Sequence, residues 1–306
     1  MKTNLKKLKT IFLALLVMAL WGSLFPCVKI GYKAFEIDSM DIPSILVFAG
    51  TRFSVCGIVI CGIAFLKKDK IKSPKGKSIA IFILVGFFSI ILHYAFTYIG
   101  LSLTDASKSA LIKQIGSLIY VCFAFFFFKN ETFNVWKIWG AIIGFLGIVV
   151  INFDADGVEF SLGDILLILA SICTVVSGIL SKKIIGENSP FWLTGISQFF
   201  GGIILMLIAF FCGAKMLTFN WENFAVFAYI CFASMIAYVL WNYILKTSEL
   251  SNMFIIKFSE PLFACFFGAI LLNENIFQWQ YLLAFVLIAL GIIFGNTQKK
   301  EIKDEG

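Results

Sequence analysis

Three charged side chains stand inside long apolar stretches of the sequence. Lys113 lies within residues 106–128, and Lys257 and Glu260 lie within residues 250–272. A charge at the centre of a bilayer costs at least about 2.5–3.5 kcal/mol, so such residues are functional candidates by default. Glu260 follows Lys257 by three residues and can meet it on one helical face. Lys113 has no acid at a helical spacing and needs a partner elsewhere, either Glu260 or an anionic group of a ligand.

Aromatic and polar residues recur at helical spacing in another apolar stretch, residues 222–246. Ser234, Tyr238, Trp241 and Asn242 follow one another at i, i+4, i+7 and i+8. Such a stripe suits a flat organic ligand, which needs apolar walls and a few polar anchors. The alternative is an interfacial aromatic belt, but Tyr238 and Trp241 lie too deep in the stretch for that.

Two further ionisable residues occupy apolar stretches. His93 is the only histidine and shares a predicted helical face with Thr97, while Tyr94 and Tyr98 share the adjacent face. A histidine there serves either as a proton relay or, more commonly, as a satisfied hydrogen-bonding residue. Arg52 lies near the middle of its stretch, where we expect a structural partner rather than contact with a substrate.

The elements that position these residues must face lipid. Hydrophobic residues make up 60% of the 306-residue chain and charged residues 14%, against about 45–50% and 25% in soluble domains. A helix crosses a bilayer with about 20 apolar residues. The sequence therefore predicts an all-α integral membrane protein with ten transmembrane helices. The predicted spans, numbered 1 to 10, are residues 11–34, 44–66, 78–100, 106–128, 135–153, 162–184, 191–212, 222–246, 250–272 and 278–297.

Basic residues lie mainly on one side of these spans. With the N-terminus inside, the inside segments hold 18 of the 25 lysines and arginines. The positive-inside rule then predicts that both termini are cytoplasmic, and the acidic outer loops fit a prokaryotic plasma membrane. The net charge of +7 faces anionic membrane lipids and requires no nucleic-acid partner.

Several features recur at a nearly constant distance along the chain. Tyr94 precedes Tyr238, and Lys113 precedes Lys257, by 144 residues. Other pairs, offset by 143 or 144 residues, are Asn130-Glu131 with Asn273-Glu274, Trp136 with Trp279, and Leu146-Gly147 with Leu290-Gly291. A regular offset of this kind indicates an internal repeat.

The repeat divides the chain into residues 1–153 and 162–297, followed by a cytoplasmic tail at 298–306. Each half holds five predicted spans, and the odd number makes the second half enter the membrane from the opposite side. Two inverted five-helix repeats, related by an axis in the membrane plane, are the usual basis of alternating access. The alternative is a gene duplication retained for packing alone.

Short motifs are spread over nearly the whole chain, about residues 11–297. They are Ala19-Leu20-Trp21-Gly22-Ser23 with Lys29, Arg52 after Ala49-Gly50, and Ser259-Glu260-Pro261 followed by Leu272-Asn273-Glu274. In this order the sequence resembles the EamA-type carriers of the drug/metabolite transporter superfamily. The resemblance implies a carrier in which helices 1, 3, 4, 6, 8 and 9 surround a central cavity. Two residues depart from the family pattern: Ser117 replaces a frequent proline, and Thr174 replaces a frequent tryptophan.

The predicted substrate site combines these residues. It consists of Trp21, His93, Tyr94, Tyr98, Lys113, Tyr238, Trp241, Asn242, Lys257 and Glu260. The phosphosugar antiporter branch of the superfamily also uses basic residues on helices 4 and 9. That branch tends to have two adjacent basic residues on helix 9, whereas Phe258 follows Lys257 here. The resemblance therefore implies an anionic or carboxylate-bearing group, not phosphate specifically.

These observations predict a secondary transporter that moves a small organic metabolite, such as an amino acid or a related compound. Efflux follows from the family resemblance alone. The sequence has no P-loop, G-x-S-x-G or H-E-x-x-H motif and no metal-ligand cluster, so we expect neither an enzyme nor a cofactor. The alternatives are an intramembrane lipid-modifying enzyme and a channel.

Glycines at small-xxx-small spacing mark the last predicted helix of each half. They are Gly140 and Gly144 in span 5, and Gly291 and Gly295 in span 10. This spacing lets helices approach closely in a membrane. We expect spans 5 and 10 to pack within the bundle; the alternative is a dimer contact, so the protein is predicted to be a monomer or a homodimer.

Overall fold

The chain folds as helices joined by short connections. The computed structural model describes residues 2–38, 40–67, 73–103, 106–128, 134–151, 161–248, 250–273 and 279–296, and no β-strand occurs among them. The helices are α1 (Lys2–Ala34), α2 (Ile42–Leu66), α3 (Gly76–Gly86), α4 (His93–Ser102), α5 (Ala106–Phe127), α6 (Val135–Ile151), α7 (Leu162–Ile185), α8 (Pro190–Phe211), α9 (Trp221–Thr247), α10 (Leu250–Lys257), α11 (Glu260–Leu272) and α12 (Trp279–Asn296). A π-helical segment, Phe87–Leu92, joins α3 to α4.

Within the described residues, seven helical segments are long and apolar enough to cross a membrane. They are Leu8–Ala34, Ile42–Leu66, Gly76–Gly100, Leu162–Ile185, Pro190–Phe211, Trp221–Thr247 and Asn252–Leu272. Three apolar stretches are shorter: Ile112–Phe123, Val135–Gly147 and Trp279–Gly295. The whole of α6, with 17 residues, extends about 25 Å, against a hydrocarbon core of about 30 Å. The seven long apolar segments identify an α-helical membrane protein.

The predicted spans coincide with one helix each or with consecutive helical segments. Span 3 corresponds to α3, the π-helical segment and α4, and span 9 to α10 and α11. The first helix begins at Lys2 rather than at residue 11, because lysine and leucine are good helix formers and extend it beyond the apolar run. The predicted tail at 298–306, Asn130, Glu131 and Glu274 lie outside the described residues, whereas Asn273 ends α11 in a left-handed conformation.

Several helix pairs approach each other closely at glycine, and two of them are α2 with α8 and α6 with α12. Along α2 and α8, Gly50 lies against Met206 and Gly57 against Phe199, so the two helices run in opposite directions. A Cβ atom on Gly50 would lie 2.8 Å from the backbone nitrogen of Met206. In lipid, where helices associate by close packing, such contacts hold α2 against α8.

The second pair is α6 with α12. A Cβ atom on Gly140 would lie 2.5 Å from the backbone nitrogen of Gly295 and 2.6 Å from the carbonyl oxygen of Gly291. Gly144 approaches Gly291 in the same interface. The prediction that this glycine spacing packs spans 5 and 10 together within the bundle is confirmed.

The other helices form a central group. In this group α1 packs on α9 and α11, α7 packs on α4 and α5, and α5 packs on α10. The α2–α8 pair contacts α3 and α9, and the α6–α12 pair contacts α5 and α10. The helices of spans 1, 3, 4, 6, 8 and 9 therefore form one connected group.

We expect Gly140→Ala to destabilise the protein, because the added methyl group would displace the backbone of α12. Overpacking of this kind costs about 1–3 kcal/mol. The matched control is Gly62→Ala, since a Cβ atom on Gly62 would meet no atom within 4 Å and alanine is the better helix former. Melting curves of the purified variants in detergent provide the measurement. Equal melting temperatures for the two variants would show that the α6–α12 contact is not tight.

Candidate functional site

Aromatic rings from three helices meet at the middle of the bundle. Trp21 of α1 lies 5.2 Å from Trp241 and 5.4 Å from Tyr238, both on α9, measured between ring centroids. Phe254 of α10 lies 6.0 Å from Trp241. We call these four residues the aromatic centre. Tyr238 and Trp241 share the face of α9 that packs on α1, as their three-residue spacing predicts.

Lys257 lies beside the aromatic centre at the end of α10. Its Nζ atom lies 5.7 Å from the ring centroids of both Trp21 and Phe254, within the range of a cation–π interaction. The helix then turns through Phe258 and Ser259 before α11 begins. Pro261 stands in the first turn of α11, where its missing N–H favours a new helix start.

Glu260 acts on both buried lysines. It interacts electrostatically with Lys113 and with Lys257, but no nitrogen–oxygen distance of 4 Å or less joins it to either among the described residues. The predicted pair of Lys257 and Glu260 on one helical face is not formed, because the turn at 258–259 interrupts that face. One carboxylate oxygen of Glu260 is buried without a hydrogen-bond partner in the described part of the chain.

Lys113 enters the same interior from α5. The Ser171 hydroxyl of α7 lies 3.0 Å from the Lys113 carbonyl oxygen and 3.2 Å from that of Ile112, which holds the two helices together at this level. Lys113 also interacts electrostatically with Lys257 and with Glu260. Both lysines lie deep in the bundle, yet part of each side chain remains accessible, so both border an interior space.

His93 begins α4, directly after the π-helical segment. Its Nδ1 atom lies 3.1 Å from the carbonyl oxygen of Ala170 and 3.1 Å from the hydroxyl of Thr174. Because a carbonyl only accepts hydrogen bonds, the proton belongs on Nδ1, and Nε2 of the neutral ring is the acceptor. The hydroxyl of Thr174, at a position where the resembled family often has tryptophan, thus helps to orient the imidazole.

Tyr94 and Tyr98 extend the site along α4. Tyr94 lies 4.8 Å from Phe53 of α2 and 5.7 Å from Tyr98, between ring centroids. Phe53 in turn lies 6.2 Å from Tyr238. The two predicted tyrosines therefore join the aromatic centre through Phe53, which the sequence did not indicate.

Arg52 has the structural partner that its depth predicts. Its Nε atom donates a hydrogen bond of 3.0 Å to the Ser234 hydroxyl of α9, and its guanidinium lies 4.8 Å from the centroid of the Phe53 ring. Both partners are uncharged. The positive charge of Arg52 is therefore placed in the interior without being neutralised by them.

Asn242 does not point toward the aromatic centre. Its amide nitrogen donates a 2.9 Å hydrogen bond to the Thr194 hydroxyl of α8, so it joins α9 to α8. Ser234, whose hydroxyl accepts a hydrogen bond from Arg52, and Asn242 therefore do not share one face of α9 with Tyr238 and Trp241. The cause is geometric: positions 234, 238, 241 and 242 cover a wide arc of the helix, and each contacts a different neighbour.

Gln198 is a polar residue that the sequence reading missed. It is 1% exposed, and neither its amide nitrogen nor its amide oxygen has a partner among the described residues. It stands on the face of α8 shared with Thr194 and Gly201, which contact α9 and the π-helical segment. Its position in an apolar span could have indicated it as a candidate, since placing an amide in an apolar environment costs free energy.

The site combines flat rings, excess positive charge and unpaired polar atoms. This chemistry suits binding of a small organic molecule with a carboxylate group, with rings as walls and few polar anchors. In the described part of the chain, no three His, Cys, Asp or Glu side chains come together as they would around a metal ion.

We expect Glu260→Gln and Lys257→Gln to be non-additive. Each single change upsets the balance between Glu260 and the lysines, whereas the double change removes one charge of each sign. Residues that interact in this way show coupling of about 0.5–3 kcal/mol. Melting temperatures of the wild type, both single variants and the double variant measure the coupling. Strict additivity would show that Glu260 does not act on Lys257.

Comparison with protein families gives two matches along the chain. The EamA-like transporter family matches residues 8–153 and again residues 161–297. Together these matches cover nearly all of the sequence.

The chain is also similar to individual transporters and, in fold, to a solved structure. The chain is 27% identical over 273 residues to an uncharacterized transporter of Archaeoglobus fulgidus, covering 87% of this chain and 90% of that protein. It is 25% identical over 287 residues to the S-adenosylmethionine/S-adenosylhomocysteine transporter of Chlamydia muridarum, covering 87% and 85%. A crystal structure superposes with a TM-score of 0.76 at 15% identity, over 94% of this chain and 96% of the other. The last similarity shows the fold.

Proposed function

Because the chain belongs to the EamA-like transporter family, we propose that it is a secondary carrier that exports a small carboxylate-bearing metabolite, an amino acid or a related compound. The observation that carries this proposal is the excess of positive charge at the aromatic centre. Lys257 contacts the centre directly, and Lys113 acts on Lys257. Arg52 is linked to the centre through Phe53. Among the described residues, Glu260 is the carboxylate that acts on both lysines. An anionic group of the substrate would neutralise part of the remaining positive charge.

The cost of burial supports an anionic ligand. Taking a charge out of water costs several kcal/mol, which a well-placed opposite charge can offset. Leucine or methionine would pack at positions 113 and 257 without that cost. A substrate carboxylate between the two lysines would interact with both, while its apolar part contacts Trp21 and Tyr238.

Glu260 adds a preference for a positive group in the same molecule. Its buried oxygen without a partner can accept a hydrogen bond from an ammonium group. An amino acid offers a carboxylate and an ammonium a few ångströms apart. One relative is named as a transporter of S-adenosylmethionine and S-adenosylhomocysteine, and both compounds contain an amino-acid group.

The mechanism we propose is alternating access by two inverted five-helix halves, residues 1–153 and 162–297. The packing supports this arrangement. Contacts of α1 with α9 and α11 correspond to those of α7 with α4 and α5. The pairs α2–α8 and α6–α12 each join equivalent helices of the two halves in antiparallel directions. The family's two matches divide the chain at the same place.

In this proposal all ten predicted spans cross the plasma membrane, both termini are cytoplasmic, and lipids surround a monomer or a homodimer. The excess of lysines in the predicted inside segments supports the orientation. The substrate then leaves the site between the two halves toward the outside.

We expect Lys113→Gln to abolish transport while the protein still folds. Losing a charge-assisted contact of about 1.5–3 kcal/mol lowers substrate affinity roughly 10- to 100-fold. Proteoliposomes loaded with unlabelled amino acids and offered the labelled mixture would reveal counterflow. The matched control is Lys33→Gln, an exposed lysine in the last turn of α1, which should transport as the wild type does.

Melting curves of both variants accompany the assay, so that a folding defect is recognised. Wild-type transport by Lys113→Gln would refute its role in the site. The same liposomes test the alternative class of function, because turnover of the lipid itself would identify an intramembrane enzyme.

We expect a reporter fused after Gly306 to lie in the cytoplasm. A fluorescent protein at that position should therefore fluoresce, and alkaline phosphatase should be inactive, because phosphatase requires export to fold. Active phosphatase at the C-terminus would contradict the proposed orientation.

A further inference from the structure

Arg52 differs from every other basic residue of the chain. It is the sole arginine among 25 lysines and arginines, and it is buried, with 4% of its surface exposed. Arginine presents five N–H donors in a planar fork that fits a carboxylate with two parallel hydrogen bonds, whereas lysine offers a point charge. The one arginine of the chain therefore occupies a buried position.

Most of the fork of Arg52 has no acceptor among the residues that the structure describes. Nε donates to Ser234, whose hydroxyl in turn donates to the Ile230 carbonyl oxygen. The four N–H groups on the two terminal nitrogens make no hydrogen bond to a described residue, and no carboxylate there lies within 4 Å. The ring of Phe53 contributes only its face.

Tyrosines cluster about Phe53, the ring that the Arg52 guanidinium contacts. The Phe53 ring lies 4.8 Å from Tyr94 and 6.2 Å from Tyr238, between centroids. Tyr98 follows 5.7 Å from Tyr94. Neutral tyrosine hydroxyls donate hydrogen bonds as well as accept them. A guanidinium fork beside this cluster favours an anion with several acceptor oxygens, as a carboxylate has.

This position is distinct from the lysines. His93 interacts electrostatically with Lys113 and Lys257, while Tyr98, five residues later on α4, interacts with Arg52. Five residues of helix correspond to about 7.5 Å. The ring of Tyr238 lies 6.2 Å from Phe53, which Arg52 contacts, and 5.4 Å from Trp21, which Lys257 contacts. Tyr238 therefore lies between the two positions.

We propose that Arg52, with the hydroxyls of Tyr94, Tyr98 and Tyr238, forms a second binding position for the carboxylate of the transported compound. In the proposed orientation it lies on the outer side of the lysines, along the path of release. The inference rests on the proposed carrier function. The internal repeat does not duplicate this position, because Ile196 stands 144 residues after Arg52.

The single arginine permits a direct test on the unmodified chain. Phenylglyoxal reacts selectively with guanidinium groups, so each adduct found by peptide mass spectrometry reports on Arg52. We expect labelling of the folded protein in detergent, slowed by sodium benzoate, a flat carboxylate. At ten times its dissociation constant, benzoate should slow the reaction about tenfold by mass action. Benzamide, which has the same shape without the charge, should give no protection.

Each outcome decides the proposal. Protection by benzoate but not by an equal concentration of sodium chloride supports a carboxylate site. Equal protection by chloride would assign the position to inorganic anions and overturn it. Absence of labelling in the folded protein, with labelling after denaturation, would show that no ligand reaches Arg52.

A second arm separates this proposal from the carrier function. In the Lys113→Gln variant, benzoate should still protect Arg52, because the two positions are separate. Loss of protection in that variant would mean that there is only one site. If counterflow depends on Lys113 but benzoate does not protect Arg52, the Arg52 binding position is wrong and the carrier function stands. If benzoate protects Arg52 but no counterflow occurs, the binding position stands and the carrier function is wrong.

Discussion

Positive charge held inside an apolar bundle is the constraint on which the rest of the structure depends. Each cation has lost its hydration, and only π faces, dipoles or negative groups nearby can offset that loss. The protein supplies ring faces to Lys257 and Arg52, a hydroxyl to Arg52, and Glu260 to both lysines. These partners hold the cations in place without cancelling their charge. The positive charge that remains is the reason why we propose an anionic substrate.

Two close helix contacts each join one helix from either half of the chain. Gly140 against Gly295 and Gly50 against Met206 bring backbones together in the α6–α12 and α2–α8 pairs. Because lipid provides no hydrophobic force between helices, such contacts supply much of the attraction. In the alternating-access mechanism that we propose, one half moves against the other about these two contacts.

How far the sequence could predict the molecule differs from feature to feature. Lipid exposure imposes a one-dimensional apolar pattern, which is why the helices were predictable, and the 144-residue offset placed Lys113 and Lys257 in equivalent helices. Backbone irregularities depend on local packing that hydropathy does not report. The turn at Phe258 and Ser259 separates Lys257 from Glu260, and the π-helical segment changes the direction of His93. The face toward which Asn242 points depends on Thr194 of another helix.

The same irregularities make the two halves unequal. Pro261 begins a new helix in span 9, whereas Ser117, 144 residues earlier, lies within the continuous α5. The π-helical segment widens span 3, while the equivalent α9 is α-helical throughout. The position equivalent to Arg52, 144 residues later, is Ile196. In two identical inverted halves, the inward-open and outward-open states would have equal energy. In the alternating-access mechanism that we propose, these differences between the halves make the two states unequal in energy, so the cycle has a preferred resting side.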